Sequence, residues 1–234
     1  MRSRHWWAWR EVGVVIEVKF CGMTREEDVR AAVDLGAAFV GTVMTESKRR
    51  VTPDRAKSLF AVLGGTPVRS VGVFGDEPVD ELIDAARTAG CDIVQMHGRS
   101  VNARDVSRLR EALDAEVWEV IRVAPDGITE AQLAASTDAD GILVDTLARG
   151  ALGGSGTPFD WRVAATAIRD LRLGRKLIVA GGLRPDNVRF AIERLAPDVV
   201  DVSSGIESAP GIKDHQRMVD FMTAVRENSS APTP

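Results

Sequence analysis

The stretch "VKFCGMTREEDVRAAVDLGAAFVGTVM", Val18 to Met44, holds one complete unit of the pattern that runs through this chain. An apolar run reaches Cys21, turns at Gly22, passes into an amphipathic segment, and gives way to a second β-branched run from Phe39 to Met44. Thr24 with Glu27 three residues later predicts a capping box at a helix start, and Gly36 predicts the helix stop. Strand, helix and strand in this succession predict two parallel strands joined by a crossover helix. Side chains alternate along a strand, so Lys19 and Cys21 share one face while Val18 and Phe20 share the other. A charge and a thiol on the same face of a buried strand need a reason.

The unit repeats along the chain. Strands are predicted at Val14 to Cys21, Phe39 to Met44, Arg69 to Phe74, Ile93 to His97, Val117 to Val123, Gly141 to Asp145, Lys176 to Ala180 and Val199 to Ser203. Thr52 ahead of Pro53 marks another helix start, and Gly64 and Gly90 fall where helices should stop. Strict alternation without a linker or low-complexity break predicts one α/β domain, a (β/α)8 barrel of the TIM type. The alternative, a doubly wound open sheet, would be expected to carry an early glycine-rich dinucleotide loop, and "CGMTREEDV" is not one.

The chain has 234 residues, 44% of them hydrophobic, enough for a full core. A net charge of -4 argues against a nucleic-acid partner, and no apolar run approaches the ~18 residues needed to cross a bilayer. Two cysteines and no secretory pattern predict a cytoplasmic protein in which Cys21 and Cys91 stay unpaired. Residues 1–13, "MRSRHWWAWREVG", are expected to be a poorly ordered extension or the result of a start site placed too far upstream; a membrane-surface or partner-binding arm is the alternative. Residues 14–228 are expected to form the catalytic barrel, and 229–234 a disordered tail. A monomer is expected, with a dimer left open.

In such a barrel, reactive groups come from the C-terminal ends of several strands. Alternation places Lys19 and Cys21 on one face of the first strand, Gln95 and His97 on one face of the fourth, and Arg122 on a face of the fifth. Asp145 shares a face with Leu143 on the sixth, and Asp201 with Ser203 on the eighth. A barrel interior is a packed apolar core, where an unpartnered charge is costly. Polar inward residues on five strands therefore predict a site at the barrel mouth. Three glycine-bearing loops follow the sixth, seventh and eighth strands: "GGSG" with Gly154, Ser155 and Gly156, "AGGL" with Gly181 and Gly182, and "SSG" with Ser203, Ser204 and Gly205. Glycines there let backbone N–H groups approach a ligand, so together they predict a phosphate site.

These residues resemble those of the phosphoribosylanthranilate isomerase family, from Glu17 to Val225. The likeness rests on "KFCGMT", "VQMHG", "LVDT", "GGSGTPFDW", "AGGLRPDNV" and "VDVSSGIESAPGIKD", in that order. The resemblance implies an Amadori rearrangement of N-(5-phosphoribosyl)anthranilate to the corresponding 1-deoxyribulose phosphate. It implies a small phosphorylated substrate and neither metal nor organic cofactor. By motif position, Cys21 is the implied general base for the C2 proton and Asp145 the implied general acid for the ring oxygen. Arg49, in the "SKRR" loop, takes the position of a family arginine, here with Lys48 and Arg50 where proline and tyrosine are common. His97 and Asp201 fall at site-lining positions, Asp201 as a ligand to sugar hydroxyls.

A thiol acting as base needs help, because its ordinary pKa leaves little thiolate at neutral pH. Lys19 is expected to lower it. Asp145 has the opposite task and must carry a proton. Two rivals are a histidine-pathway or dual-substrate isomerase, which has a carboxylate at the end of the first strand, and a non-catalytic phosphate-sugar binding barrel. Cys21 argues against the first, and the Cys21–Asp145 pair against the second.

Overall fold

The computed structural model describes residues 15–98, 102–122, 138–145, 168, 172 and 174–229. Eight strands close into a barrel in chain order: β1 (Glu17–Phe20), β2 (Phe39–Val43), β3 (Arg69–Phe74), β4 (Ile93–Met96), β5 (Glu116–Arg122), β6 (Gly141–Asp145), β7 (Lys176–Ala180) and β8 (Val199–Val202). Every neighbouring pair is parallel, and β8 returns to β1 in the register Glu17↔Val199 to Phe20↔Val202. All eight predicted strands are present, each within three residues of its predicted ends. The predicted N-terminal extension, Val14, Val123 and residues 230–234 lie outside the described residues. The last helix runs to Ser229, past the predicted domain end.

The described helices are α1 (Glu26–Asp34), α2 (Pro53–Phe60), α3 (Val79–Ala89), α4 (Ala103–Ala112), α5 (Val188–Leu195) and α6 (His215–Ser229). Thr52 caps α2 as predicted, its side chain accepting from Arg55 N, with Pro53 in the first turn. Gly90 ends α3 in the left-handed region at φ 71°. One prediction needs correction. Thr24 caps nothing: α1 begins after Arg25, which makes no side-chain cap, and the Thr24 hydroxyl donates to the Gly211 carbonyl at 2.5 Å. A tertiary partner has taken the group that a local reading assigned to the helix. Gly64 stands at a helix stop as predicted: α2 tightens into a short 3₁₀ turn over Ala61–Leu63 that Gly64 ends at φ -55°, and the left-handed residue is Gly65 at φ 79°.

Two apolar layers hold the barrel. The outer one lies between strands and helices and includes Phe20, Val40, Val94 and Val144 with Leu59, Leu82, Leu109 and Phe221. The inner one is a plug of Phe39, Val71, Ile93, Trp118, Leu143, Ile178 and Val199, one from each of β2 to β8. Trp118 is fully buried there, edge-on to Phe39 with ring centroids 5.1 Å apart. Gly141 makes room for it, since a Cβ on Gly141 would sit 2.7 Å from Trp118 Cδ1. Lys176 lies over the Phe39 ring and pairs with Glu17 at 2.9 Å. Above this plug, β1 contributes Lys19 rather than an apolar side chain, and the site begins there.

Candidate active site

Lys19 is fully buried in the barrel, and its Nζ donates to Asp201 Oδ2 at 2.7 Å across the β1–β8 pair. It also interacts with the Cys21 sulfur. Burial alone would pull the ammonium down; Asp201 and Cys21 together outweigh it, and Lys19 is held above its ordinary range. The charge in the core is thereby explained: it is paired, and it stands behind the thiol.

The effect on Cys21 differs from expectation. Burial pushes the thiol up, Lys19 pulls it down by less, and the net result lies above the ordinary thiol range. The lysine moderates the thiol without making it a resting thiolate. Gly41 on β2 permits the arrangement, because a Cβ there would lie 3.1 Å from both Cys21 Sγ and Lys19 Cε. Cys21 and Cys91 are both free, and burial raises Cys91 to about 12.

Cys21 opens onto a cavity of about 320 Å³ at the C-terminal mouth of the barrel. Asp145, Gln95, His97, Asp201 and Arg49 line the same cavity. The His97 ring nitrogen Nε2 is 4.0 Å from Asp145 Oδ2. Burial first, and the Arg122 charge second, hold His97 below its ordinary value, so it is neutral at pH 7 and the contact is not an ion pair. Gln95 Oε1 and Asp201 Oδ1 are buried without a protein hydrogen-bond partner. Buried acceptors of this kind are rare unless a ligand or water completes them. Arg122 is not on the cavity wall; it donates to the His97 carbonyl at 2.6 Å and holds the end of β4.

The loop after β2 brings in Arg49. Its guanidinium donates to Glu207 through Nε at 2.7 Å and Nη2 at 2.6 Å. Glu207 begins a short hairpin, β9 (Glu207–Ala209) and β10 (Ile212–Lys213), which has no counterpart among the strand predictions. Lys213 from β10 is buried, and donates to Glu207 at 2.9 Å and to the Ser203 carbonyl at 3.2 Å. Glu207 and Lys213 are site residues that the sequence did not mark. They stand inside the quoted stretch "VDVSSGIESAPGIKD", yet no alternation or cap signal singles them out.

Two of the glycine loops also reach the cavity. Gly181 and Gly182 take φ of 99° and 60°, conformations that favour glycine, and both line the cavity. Gly205 has no space for a side chain, since a Cβ would meet the Leu183 carbonyl oxygen at 1.9 Å. The loops after β7 and β8 therefore touch backbone to backbone, with Ser203 and Ser204 on the wall. Asn187 fastens the first of them, donating to the Gly182 carbonyl at 3.0 Å. Gly154, Ser155 and Gly156 lie outside the described residues.

A buried thiol and a carboxylate thus face one cavity, whose wall also carries an arginine and two glycine loops. The family model for N-(5'-phosphoribosyl)anthranilate isomerase matches residues 18–224. The chain belongs to the phosphoribosylanthranilate isomerase family. An N-(5'-phosphoribosyl)anthranilate isomerase of Rubrobacter xylanophilus is 40% identical over 211 residues, covering 90% of this chain and 98% of that one. Among solved structures, phosphoribosylanthranilate isomerase of Thermotoga maritima superposes with a TM-score of 0.77 at 34% identity, over 91% of this chain and 99% of its own. A second, in complex with reduced 1-(o-carboxyphenylamino)-1-deoxyribulose 5-phosphate, gives 0.76 at 31% identity over the same shares. As a phosphoribosylanthranilate isomerase, the chain catalyses the Amadori rearrangement of phosphoribosylanthranilate in tryptophan biosynthesis. It is an intramolecular aldose–ketose isomerase acting on a small phosphorylated substrate.

Proposed function

We propose that Cys21 is the general base and Asp145 the general acid of this isomerisation. The observation that carries the assignment is that both side chains, from the non-adjacent strands β1 and β6, open onto one cavity. Asp145 gives its proton to the furanose ring oxygen, the C1–O bond breaks, and the nitrogen lone pair forms the C1=N bond of a Schiff base. The Cys21 thiolate, formed once the thiol has released its own proton to solvent, takes the proton from C2; the electron pair closes C1=C2, and the C1=N electrons return to nitrogen. The resulting enol tautomerises, leaving C2 a ketone and C1 a methylene. C2 is oxidised and C1 reduced within one molecule, so two proton-transfer groups suffice.

Lys19 stabilises the thiolate as it forms, and its pairing with Asp201 keeps Lys19 charged. Asp201 Oδ1, free on the cavity side, accepts from a ribose hydroxyl, and Gln95 Oε1 accepts from another polar group of the substrate. Neutral His97 stands 4.0 Å from Asp145 on the cavity wall, and Arg122 supports the His97 backbone. Arg49 takes the anthranilate carboxylate. The loops at Gly154–Gly156, Gly181–Gly182 and Ser203–Gly205 take the phosphate.

Residues 14–228 act as one catalytic barrel in the cytoplasm, where two unpaired cysteines fit a reducing environment. No described helix is long and apolar enough to cross a membrane. The working unit is a monomer: the exposed large apolar side chains among the described residues are Val15, Phe190, Ile212 and Val219, too few for a stable dimer face. Sedimentation at micromolar concentration tests this, and a dimer mass refutes it.

The assignment of roles is tested by following the loss of anthranilate-type fluorescence on freshly made phosphoribosylanthranilate. Wild type turns over; Cys21→Ser and Asp145→Asn each lose about 10²–10⁴-fold in kcat. Undiminished turnover in either variant would overturn that residue's role.

A further inference from the structure

Arg49 is held more firmly than a ligand-binding surface arginine needs to be. Its stem lies against Gly22, where a Cβ would sit 2.6 Å from Arg49 Cδ, and Gly22 itself is left-handed at φ 74°. Its fork is bidentate on Glu207, which leaves Nη1 without a partner among the described residues. Glu207 is only 8% exposed, and its Oε1 also accepts from Lys213 Nζ at 2.9 Å and Gly211 N at 3.2 Å. Lys213 in turn donates to the carbonyl of Ser203, the first residue of the glycine loop after β8. One carboxylate between two cations leaves one positive charge in excess, and Arg49 is the cation on the cavity wall.

The geometry points to Glu207 as a positioning residue, which fixes the free edge of Arg49 toward the aryl carboxylate of the substrate and ties that clamp, through Lys213, to the phosphate loop. A bidentate fork fixes the guanidinium plane as well as its place. The spacing between the carboxylate clamp and the phosphate loop is then set by one chain of contacts, Arg49 to Glu207 to Lys213 to Ser203. The inference rests on the reading that Arg49 receives the anthranilate carboxylate.

The test compares phosphoribosylanthranilate with N-(5-phosphoribosyl)aniline, which lacks the carboxylate but can undergo the same rearrangement. The readout is the ratio of kcat/KM for the two substrates in wild type, Arg49→Met, Glu207→Gln and the double variant Glu207→Gln/Lys213→Met. The double variant removes both buried charges, so it guards against loss of fold from a stranded lysine; thermal melts accompany each protein. Glu207→Gln is expected to lower the ratio by about 10-fold, mainly through KM for phosphoribosylanthranilate, as loss of a charge-assisted contact predicts. The double variant lowers it as much, and Glu207→Asp restores part of it. If Arg49→Met collapses the ratio while Glu207→Gln and the double variant keep the wild-type ratio, the positioning role is overturned and the carboxylate reading stands. If Arg49→Met also leaves the ratio unchanged, both fall.

Discussion

Lys19 and Cys21 are two residues apart on one strand, and their burial decides how the site operates. An ammonium at zero exposure persists because Asp201 is 2.7 Å away, and removing it strands that carboxylate in the barrel. Lys19→Met is therefore expected to destabilise the protein by about 3–5 kcal/mol, read from its denaturant midpoint. The thiol has less support: burial outranks Lys19 and keeps Cys21 protonated at neutral pH. Gly41 sets the space for both. Its replacement by alanine places a methyl 3.1 Å from Cys21 Sγ and from Lys19 Cε, so one of them must shift. Gly41→Ala should lower kcat by about 10-fold or more, as small displacements of reacting groups do, with the melting temperature little changed. Unchanged kcat would contradict this.

Between the elements, the β9–β10 hairpin matters most. It carries Glu207 and Lys213, and a buried aspartate on α1 holds it down. Asp28 accepts from Arg25 at 3.0 and 2.7 Å, from Lys213 N at 3.2 Å, and meets His215 at 2.8 Å. Asp28→Ala is expected to cost about 1–3 kcal/mol through unsatisfied partners and to raise KM, because the hairpin supports Arg49. A second prediction concerns pH. The Arg49 and Lys213 bonds outweigh burial and hold Glu207 below the ordinary carboxylate range. A depressed folded value means that its stabilisation is complete above the ordinary range and is lost as pH falls through the folded value. Acid unfolding of Glu207→Gln, followed by circular dichroism, should then depend less steeply on pH than that of wild type.

This level is where the sequence reads least well. The strands were legible because β-branched runs and period-two alternation are local, and the inward polar groups Lys19, Cys21, Gln95, His97, Asp145 and Asp201 were legible for the same reason. The hairpin was not: its strands are three and two residues long, and its partners Arg49, Thr24 and Asp28 stand more than 150 positions away. Thr24 shows the same limit. Its spacing to Glu27 suits a cap, but the Gly211 carbonyl claims its hydroxyl. The sign of the Cys21 shift likewise depended on burial, which alternation along a strand does not measure.

At the scale of the whole molecule, a closed barrel separates a filled base from an open mouth. Trp118 fills the base against Phe39, and Gly141 yields the space. Trp118→Ala should destabilise by about 3–5 kcal/mol, and Gly141→Ala by about 1–3 kcal/mol through overpacking, both read by denaturant unfolding. Because neither Trp118 nor Gly141 lines the cavity, a folded Gly141→Ala protein should keep its KM. The mouth is where eight strands of similar construction deliver different chemistry: a thiol from β1, a carboxylate from β6, and glycine loops after β7 and β8. The claim that unites these layers is that the Cys21 thiolate removes the C2 proton. It is tested most directly in a Cys91→Ser background by measuring, over one pH series, the rate of Cys21 alkylation and kcat/KM for phosphoribosylanthranilate. Both are expected to rise together with pH and to share an apparent pKa above the ordinary thiol range. A kcat/KM that reaches its plateau while Cys21 is still protonated would contradict it.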